Sequence, residues 1–143
     1  MKKNTILSLR VGFLISVLAT TGSLFFSEVM RLPPCVLCWY QRICMYPLVV
    51  IFGVALFKGT KDSFKYSFAL SLIGLMIAIY HTLLYYGVIP DSITPCTQGV
   101  SCTSKQIEWL GFITIPLLSL ASFLILTILC FFALKKDSPN ERQ

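Results

Sequence analysis

The chain has 143 residues, 56% of them hydrophobic and only 13% charged, with a mean hydropathy of +0.79. A soluble domain of this size is not so apolar, so the composition describes one small integral membrane domain. Six cysteines fall short of the density of a disulfide-stapled miniprotein, and the net charge of +6 lies in short clusters between apolar runs, so it forms no nucleic-acid-binding stripe.

A membrane-spanning helix needs about 20 mostly apolar residues. Four stretches meet that requirement, at about 11–26, 37–57, 66–88 and 107–134. None alternates as a strand would, and an open sheet leaves edges unsatisfied in lipid. The expected fold is therefore an all-α membrane protein, an up-down bundle of four transmembrane helices. It forms a single domain over 1–136, followed by a polar cytoplasmic tail at 137–143. The N-terminal run also resembles a signal peptide, but no small-x-small cleavage site follows it, and it reads as a retained span.

Lys2, Lys3 and Arg10 precede the first span, Lys58, Lys61 and Lys65 lie around the junction of the second and third, and Lys135, Lys136 and Arg142 close the fourth. Nine of the twelve basic residues thus share one side, which the positive-inside bias makes cytoplasmic. Both termini are expected there. The other three, Arg31, Arg42 and Lys105, lie in or beside the segments facing the opposite way.

Four of the six cysteines belong to that opposite, oxidising side. Cys35 and Cys38 form a Cys-Val-Leu-Cys pair behind Pro33-Pro34, and Cys96 and Cys102 flank five residues that include Gly99. Disulfides form and persist outside the cytosol, and Gly99 makes a Cys96–Cys102 bridge sterically easy. The Cys-x-x-Cys spacing alone admits a redox couple, half of a zinc site or a structural staple. Exposed thiolates outside the membrane tend to oxidise, which weighs against zinc, and no metal is expected. The prolines place Cys38 among the first residues of a helix, where free amides and the helix dipole favour a thiolate. Cys44 and Cys130 lie inside apolar runs and read as small hydrophobes.

Arg42 follows Cys38 by four residues, one turn down the same helix face and about 6 Å along the axis. A guanidinium there lowers a thiol pKa; the alternative is an arginine snorkelling to the headgroups. His81, the only histidine, lies about seven residues inside the outer end of the third span, roughly 10 Å below that surface. The antiparallel second helix carries Arg42 to a similar depth, so the two side chains are expected to face one shallow cavity. No Gly-rich phosphate loop, metal-ligand spacing or hydrolase triad is present.

The stretch SLFFSEVMRLPPCVLCWYQRICMYP, together with HTLLYY and CTSKQIEWLGFITIP, closely resembles the disulfide bond formation protein B (DsbB) family, above all its short Gram-positive-type members. The likeness runs from about Ser23 to Pro116. Its most specific parts are Cys-x-x-Cys followed by x-Tyr-x-Arg, and Cys-x-x-x-Gln ahead of Leu-Gly and a proline. The resemblance implies a multi-pass cell-membrane enzyme that reoxidises an extracytoplasmic thioredoxin-like thiol-disulfide oxidase and passes the electrons to membrane quinone. The short-form likeness leans toward menaquinone. Cys35 and Cys38 then match the quinone-proximal pair, with Cys38 nearest the quinone, and Cys96 and Cys102 match the pair that exchanges with the partner. Arg42 and His81 match quinone-associated residues. Long-form members separate their second pair by a much longer segment than the five residues here, and Gln41 stands where the best-known long form has an acidic residue. Two alternatives stay open: a reductase of the vitamin K epoxide reductase type, and a membrane scaffold with structural disulfides.

Overall fold

The computed structural model describes residues 3–60, 62–90, 102, 108–109 and 113–136. Cys96 and the tail at 137–143 lie outside them. Four long helices dominate: α1 (Lys3–Leu24), α2 (Val36–Lys58), α3 (Ser63–Tyr85) and α4 (Ile115–Lys136). All four are long and apolar enough to cross a membrane. Consecutive helices pack against one another and α1 also meets α4, which closes a four-helix bundle around one core.

The core gathers Leu9 from α1, Leu48 and Phe52 from α2, Phe64 and Ala78 from α3, and Phe123 and Leu126 from α4. Close approach depends on two glycines. A Cβ on Gly12 would press on the Phe52 ring at 2.9 Å, and one on Gly74 would overlap the Phe123 ring. Small residues at such crossings let helices pack without a hydrophobic driving force from lipid. Several hydroxyls within the spans return to their own helices, as Ser16 does to the Gly12 carbonyl at 2.8 Å and Thr127 to Phe123 at 2.7 Å.

The ends of the helices differ from the expected spans in several places: α1 begins at Lys3, eight residues before the apolar run, and α3 runs Ser63–Tyr85 against an expected 66–88. The first span does not stop near 26; it continues through a π-helical turn, Phe25–Val29, whose wider spacing shows in the bond from the Met30 amide to the Phe25 carbonyl. Arg31, at φ 54°, then turns the chain into the Leu32-Pro33-Pro34 segment. The last helix starts at Ile115, eight residues later than the apolar run suggests. Ahead of it, β1 (Glu108–Trp109) and β2 (Ile113–Thr114) pair antiparallel. Pro116 explains the boundary: it lacks an amide hydrogen, a loss that costs nothing in the first turn of a helix.

Helix α2 is bounded by defined caps. Cys35 is its N-cap residue, with extended backbone and a sulfur that accepts the Cys38 amide at 3.4 Å, the third position of the helix. Gly59, at φ 67°, ends it in the left-handed conformation. The short link to α3 makes the two helices antiparallel neighbours.

Candidate redox site

The start of α2 projects the Cys-Val-Leu-Cys pair into the bundle near the end of α3. The two sulfurs lie 3.0 Å apart, and both cysteines are free thiols. They face different surroundings. Cys35 is buried among Leu37, Leu84 and Cys102, and its Sγ lies 3.8 Å from Nε2 of His81. Cys38 is half-buried and packs against the same cluster, and unlike Cys35 it also lines a cavity.

His81 is fully enclosed in α3 at 2% exposure. Its Nδ1 meets the Gln41 side-chain nitrogen at 3.2 Å. An amide nitrogen only donates, so Nδ1 accepts and the ring proton resides on Nε2, toward the Cys35 sulfur. The Cys35 thiol is held well below the ordinary thiol range, chiefly by the hydrogen bond from the Cys38 thiol. Burial opposes this, while His81 and the Cys38 amide add to it. Position in the first turn alone favours Cys38 as the stabilised thiolate. The cap geometry gives that place to Cys35, because the N-cap side chain is the one that accepts the first-turn amide.

Arg42 is buried, with 8% of its surface exposed. It does not reach outward to headgroups. Its Nε donates to the Ser23 hydroxyl and its Nη2 to the Ser23 carbonyl, each at 2.9 Å, so it ties α2 to the end of α1 just before the π-helical turn. The guanidinium also stacks over the Trp39 ring, 5.3 Å from its centroid.

The cavity beside Arg42 measures about 380 Å³ and is walled by α1, α2 and α4. Ile15, Leu18, Ala19 and Leu118 supply apolar wall, and Cys38, Gln41, Arg42 and Tyr46 supply polar atoms along α2. His81 is not part of its lining. The expected convergence of Arg42 and His81 on one cavity is therefore not what the bundle builds: α2 stands between them, with Arg42 on the cavity side and His81 behind Cys35. Gln41, to which no role is assigned from sequence, touches both environments. Its signal was a buried amide in an apolar span, the kind of residue that marks a site in a membrane helix.

Cys102 is disulfide-bonded and 4% exposed. It belongs to the same buried cluster as Cys35. Cys44 and Cys130 are buried in the main core, away from this cluster. Among the described residues, Cys35, Cys38 and His81 are the one group whose ligand atoms lie close enough to hold a metal. The same proximity serves sulfur and proton chemistry, and the group alone does not argue for an ion.

The family model for disulfide bond formation protein DsbB matches residues 6–133. The chain belongs to the DsbB family. Among its relatives, disulfide bond formation protein C of Bacillus subtilis is 43% identical over 139 residues, covering 97% of this chain and 99% of its own length. A probable disulfide formation protein of Metapseudomonas resinovorans is 39% identical over 132 residues, 92% of each chain. Probable disulfide formation protein C 2 of Bacillus cereus is 38% identical, over 91% of this chain and 93% of its own. No solved structure matches. As a DsbB-family member with four spans, the chain is a multi-pass membrane protein whose chemistry is disulfide oxidoreduction.

Proposed function

We propose that this chain moves oxidising equivalents outward across the membrane surface, reoxidising an extracytoplasmic thioredoxin-like thiol-disulfide oxidase at the expense of membrane quinone, menaquinone by the short-form likeness. It thereby supports disulfide formation in exported proteins. The observation that carries this reading is the position of Cys38, which lines a cavity with an apolar wall beside a buried guanidinium and also packs against the buried cluster of Cys35 and Cys102. One sulfur addresses a lipid-soluble acceptor and the other addresses the second cysteine pair.

The cavity suits a quinone ring by its size, its apolar walls and its placement of a fixed cation one turn from a sulfur. A bound quinone supplies the sink for two electrons and two protons as the Cys35–Cys38 dithiol becomes a disulfide. Arg42, held by Ser23, presents positive charge where a carbonyl oxygen gains electron density. In the thiol-disulfide half of the cycle, the partner's thiolate attacks the Cys96–Cys102 disulfide, and its two electrons pass to that pair through a mixed disulfide. A thiolate of the reduced pair then attacks Cys35 of the Cys35–Cys38 disulfide, and Cys38 leaves as the thiolate. A second exchange restores Cys96–Cys102 and leaves Cys35 and Cys38 reduced. His81 returns or removes the proton at Cys35, with its ring fixed by Gln41.

Both termini are cytoplasmic in this reading, and the two cysteine pairs lie on the extracytoplasmic side, in keeping with nine of twelve basic residues at the opposite ends. The decisive test is Cys38→Ser. It should abolish quinone reduction while Cys96 and Cys102 still exchange with a reduced dithiol partner. Full quinone turnover in that variant would place the electron donor elsewhere. A vitamin K epoxide reductase-like enzyme would instead reduce the epoxide in the same assay, and a scaffold would turn over neither substrate.

A further inference from the structure

Gln41 is buried, with 6% of its surface exposed. Its amide nitrogen meets Nδ1 of His81 at 3.2 Å, and the residue also lines the cavity. Among the described residues His81 is its one hydrogen-bond partner. The amide oxygen therefore has none, yet it is not one of the sealed, partnerless polar atoms of the bundle. It keeps accessible surface, on a residue that borders the cavity.

A primary amide presents a donor on one side and an acceptor on the other, and a half-turn about its last bond exchanges them. The exchange reaches the sulfur through the imidazole. With the amide nitrogen toward Nδ1, that ring atom accepts, Nε2 carries the proton, and His81 can only donate toward the Cys35 sulfur 3.8 Å away. With the amide oxygen toward Nδ1, that atom carries the proton and Nε2 turns a lone pair to the same sulfur. His81 is then a base oriented by a third group, the arrangement that serves a nucleophile.

We infer that Gln41 is a positioning residue that switches His81 between donor and base according to what occupies the cavity. This rests on the quinone reading above. A quinone oxygen only accepts, so it draws the amide nitrogen toward the cavity and leaves the amide oxygen to Nδ1. A quinol hydroxyl donates, so it draws the oxygen back. The switch fits the proton balance of the pair. With Cys35 a thiolate, one proton remains between the two sulfurs, 3.0 Å apart, and it must leave before a disulfide can close. As Cys38 turns to the acceptor, that proton passes to Cys35. The S–H bond there then breaks, an N–H bond forms at Nε2, and the Cys35 sulfur keeps the electron pair that becomes the S–S bond. Two electrons leave the pair for the quinone by way of Cys38, and the quinol takes two protons from the medium in place of the two that the pair has released.

His81 is the only histidine, so protein grown on isotope-labelled histidine reports the tautomer from two ring nitrogens by nuclear magnetic resonance. The reduced full-length chain is measured in detergent alone, with tetramethyl-γ-pyranone and with durene. The pyranone offers a carbonyl oxygen and takes no electrons from thiols; durene carries the same methyl groups and no oxygen. Ligand-free wild type should hold the proton on Nε2, the pyranone should move it to Nδ1, and durene should leave it in place. Gln41→Leu should show no response to the pyranone. Gln41→Glu keeps the size of the side chain, and its carboxylate only accepts, so Nδ1 should be protonated with or without ligand. Melting temperatures establish that each protein is folded and that the ligand is seated. A proton that stays on Nε2 with the pyranone bound overturns the switch, as does an equal response to durene. So does a response that persists in Gln41→Leu, or, should that variant fail to fold, an unprotonated Nδ1 in Gln41→Glu. Wild-type protein stabilised no more by the pyranone than by durene overturns the quinone reading itself.

Discussion

The sulfur of Cys35 lies 3.8 Å from Nε2 of His81, across the junction of the α2 N-terminus with α3. The contact makes the histidine a partner of the first cysteine pair and gives it a role distinct from that of Arg42, which bonds to α1 on the far side of the same helix. In the proposed cycle, proton handling at sulfur and charge stabilisation at the cavity fall to different side chains.

A pH dependence follows for Cys35. Its pKa is depressed below the ordinary thiol value of 9.0, so the thiolate is present at neutral pH and is lost only as the pH falls through the lowered value. His81 contributes to that depression. In His81→Ala the midpoint should move upward, and neutral-pH exchange between the pairs should slow. Ultraviolet thiolate absorbance of the reduced chain, read against a Cys35→Ser reference, measures the shift. An unmoved midpoint would remove His81 from the sulfur chemistry.

Arg42 should act on the quinone step more than on exchange between the pairs. Loss of a charge-assisted interaction, worth about 1.5–3 kcal/mol, should raise the quinone KM of Arg42→Ala by about tenfold or more. Arg42→Lys should fall between, since it keeps the charge and loses the planar fork that engages Ser23. Ser23→Ala, which leaves the carbonyl acceptor in place, should shift KM least. Steady-state titration with quinone at matched folded amounts ranks the three; equal kinetics for Arg42→Ala and wild type would exclude the guanidinium from the site.

Cys44 and Cys130 are expected to be dispensable for turnover. Both are buried in the main core with Leu48, Phe52 and Leu126, apart from the cluster that holds Cys35 and Cys102. Alanine at either position should cost on the order of 1 kcal/mol of stability through lost packing. Partner reoxidation should persist. Its loss in a well-folded single variant would show that a third sulfur takes part.

Orientation is testable with single introduced cysteines in a background without reactive thiols. A membrane-impermeant maleimide should label Ser92→Cys in intact cells and should reach Asn140→Cys only after permeabilisation. The reverse pattern would invert the topology derived from the basic residues.

Hydropathy by itself determined four spans and the membrane class, and it separates two cysteine pairs at or beyond the ends of the apolar runs from two cysteines within them, because each of these depends on local composition. Sequence motifs around Cys35–Arg42 and Cys102–Pro116 carried the family. The π-helical turn after Leu24 and the late start of α4 escaped that reading, since apolar residues in lipid mark a span without marking where its hydrogen-bond pattern changes. Above all, tertiary structure decided which face of α2 each residue serves. Cys35 and Cys38 are three apart, and Gln41 and Arg42 are adjacent, yet only the packing of α3 on one side and of α1 and α4 on the other brings Cys35 against His81, sets Arg42 along the cavity, and leaves Cys38 and Gln41 in contact with both. Spacing along a helix sets which residues share a face; the neighbours that each face meets are fixed by how the helices pack in three dimensions.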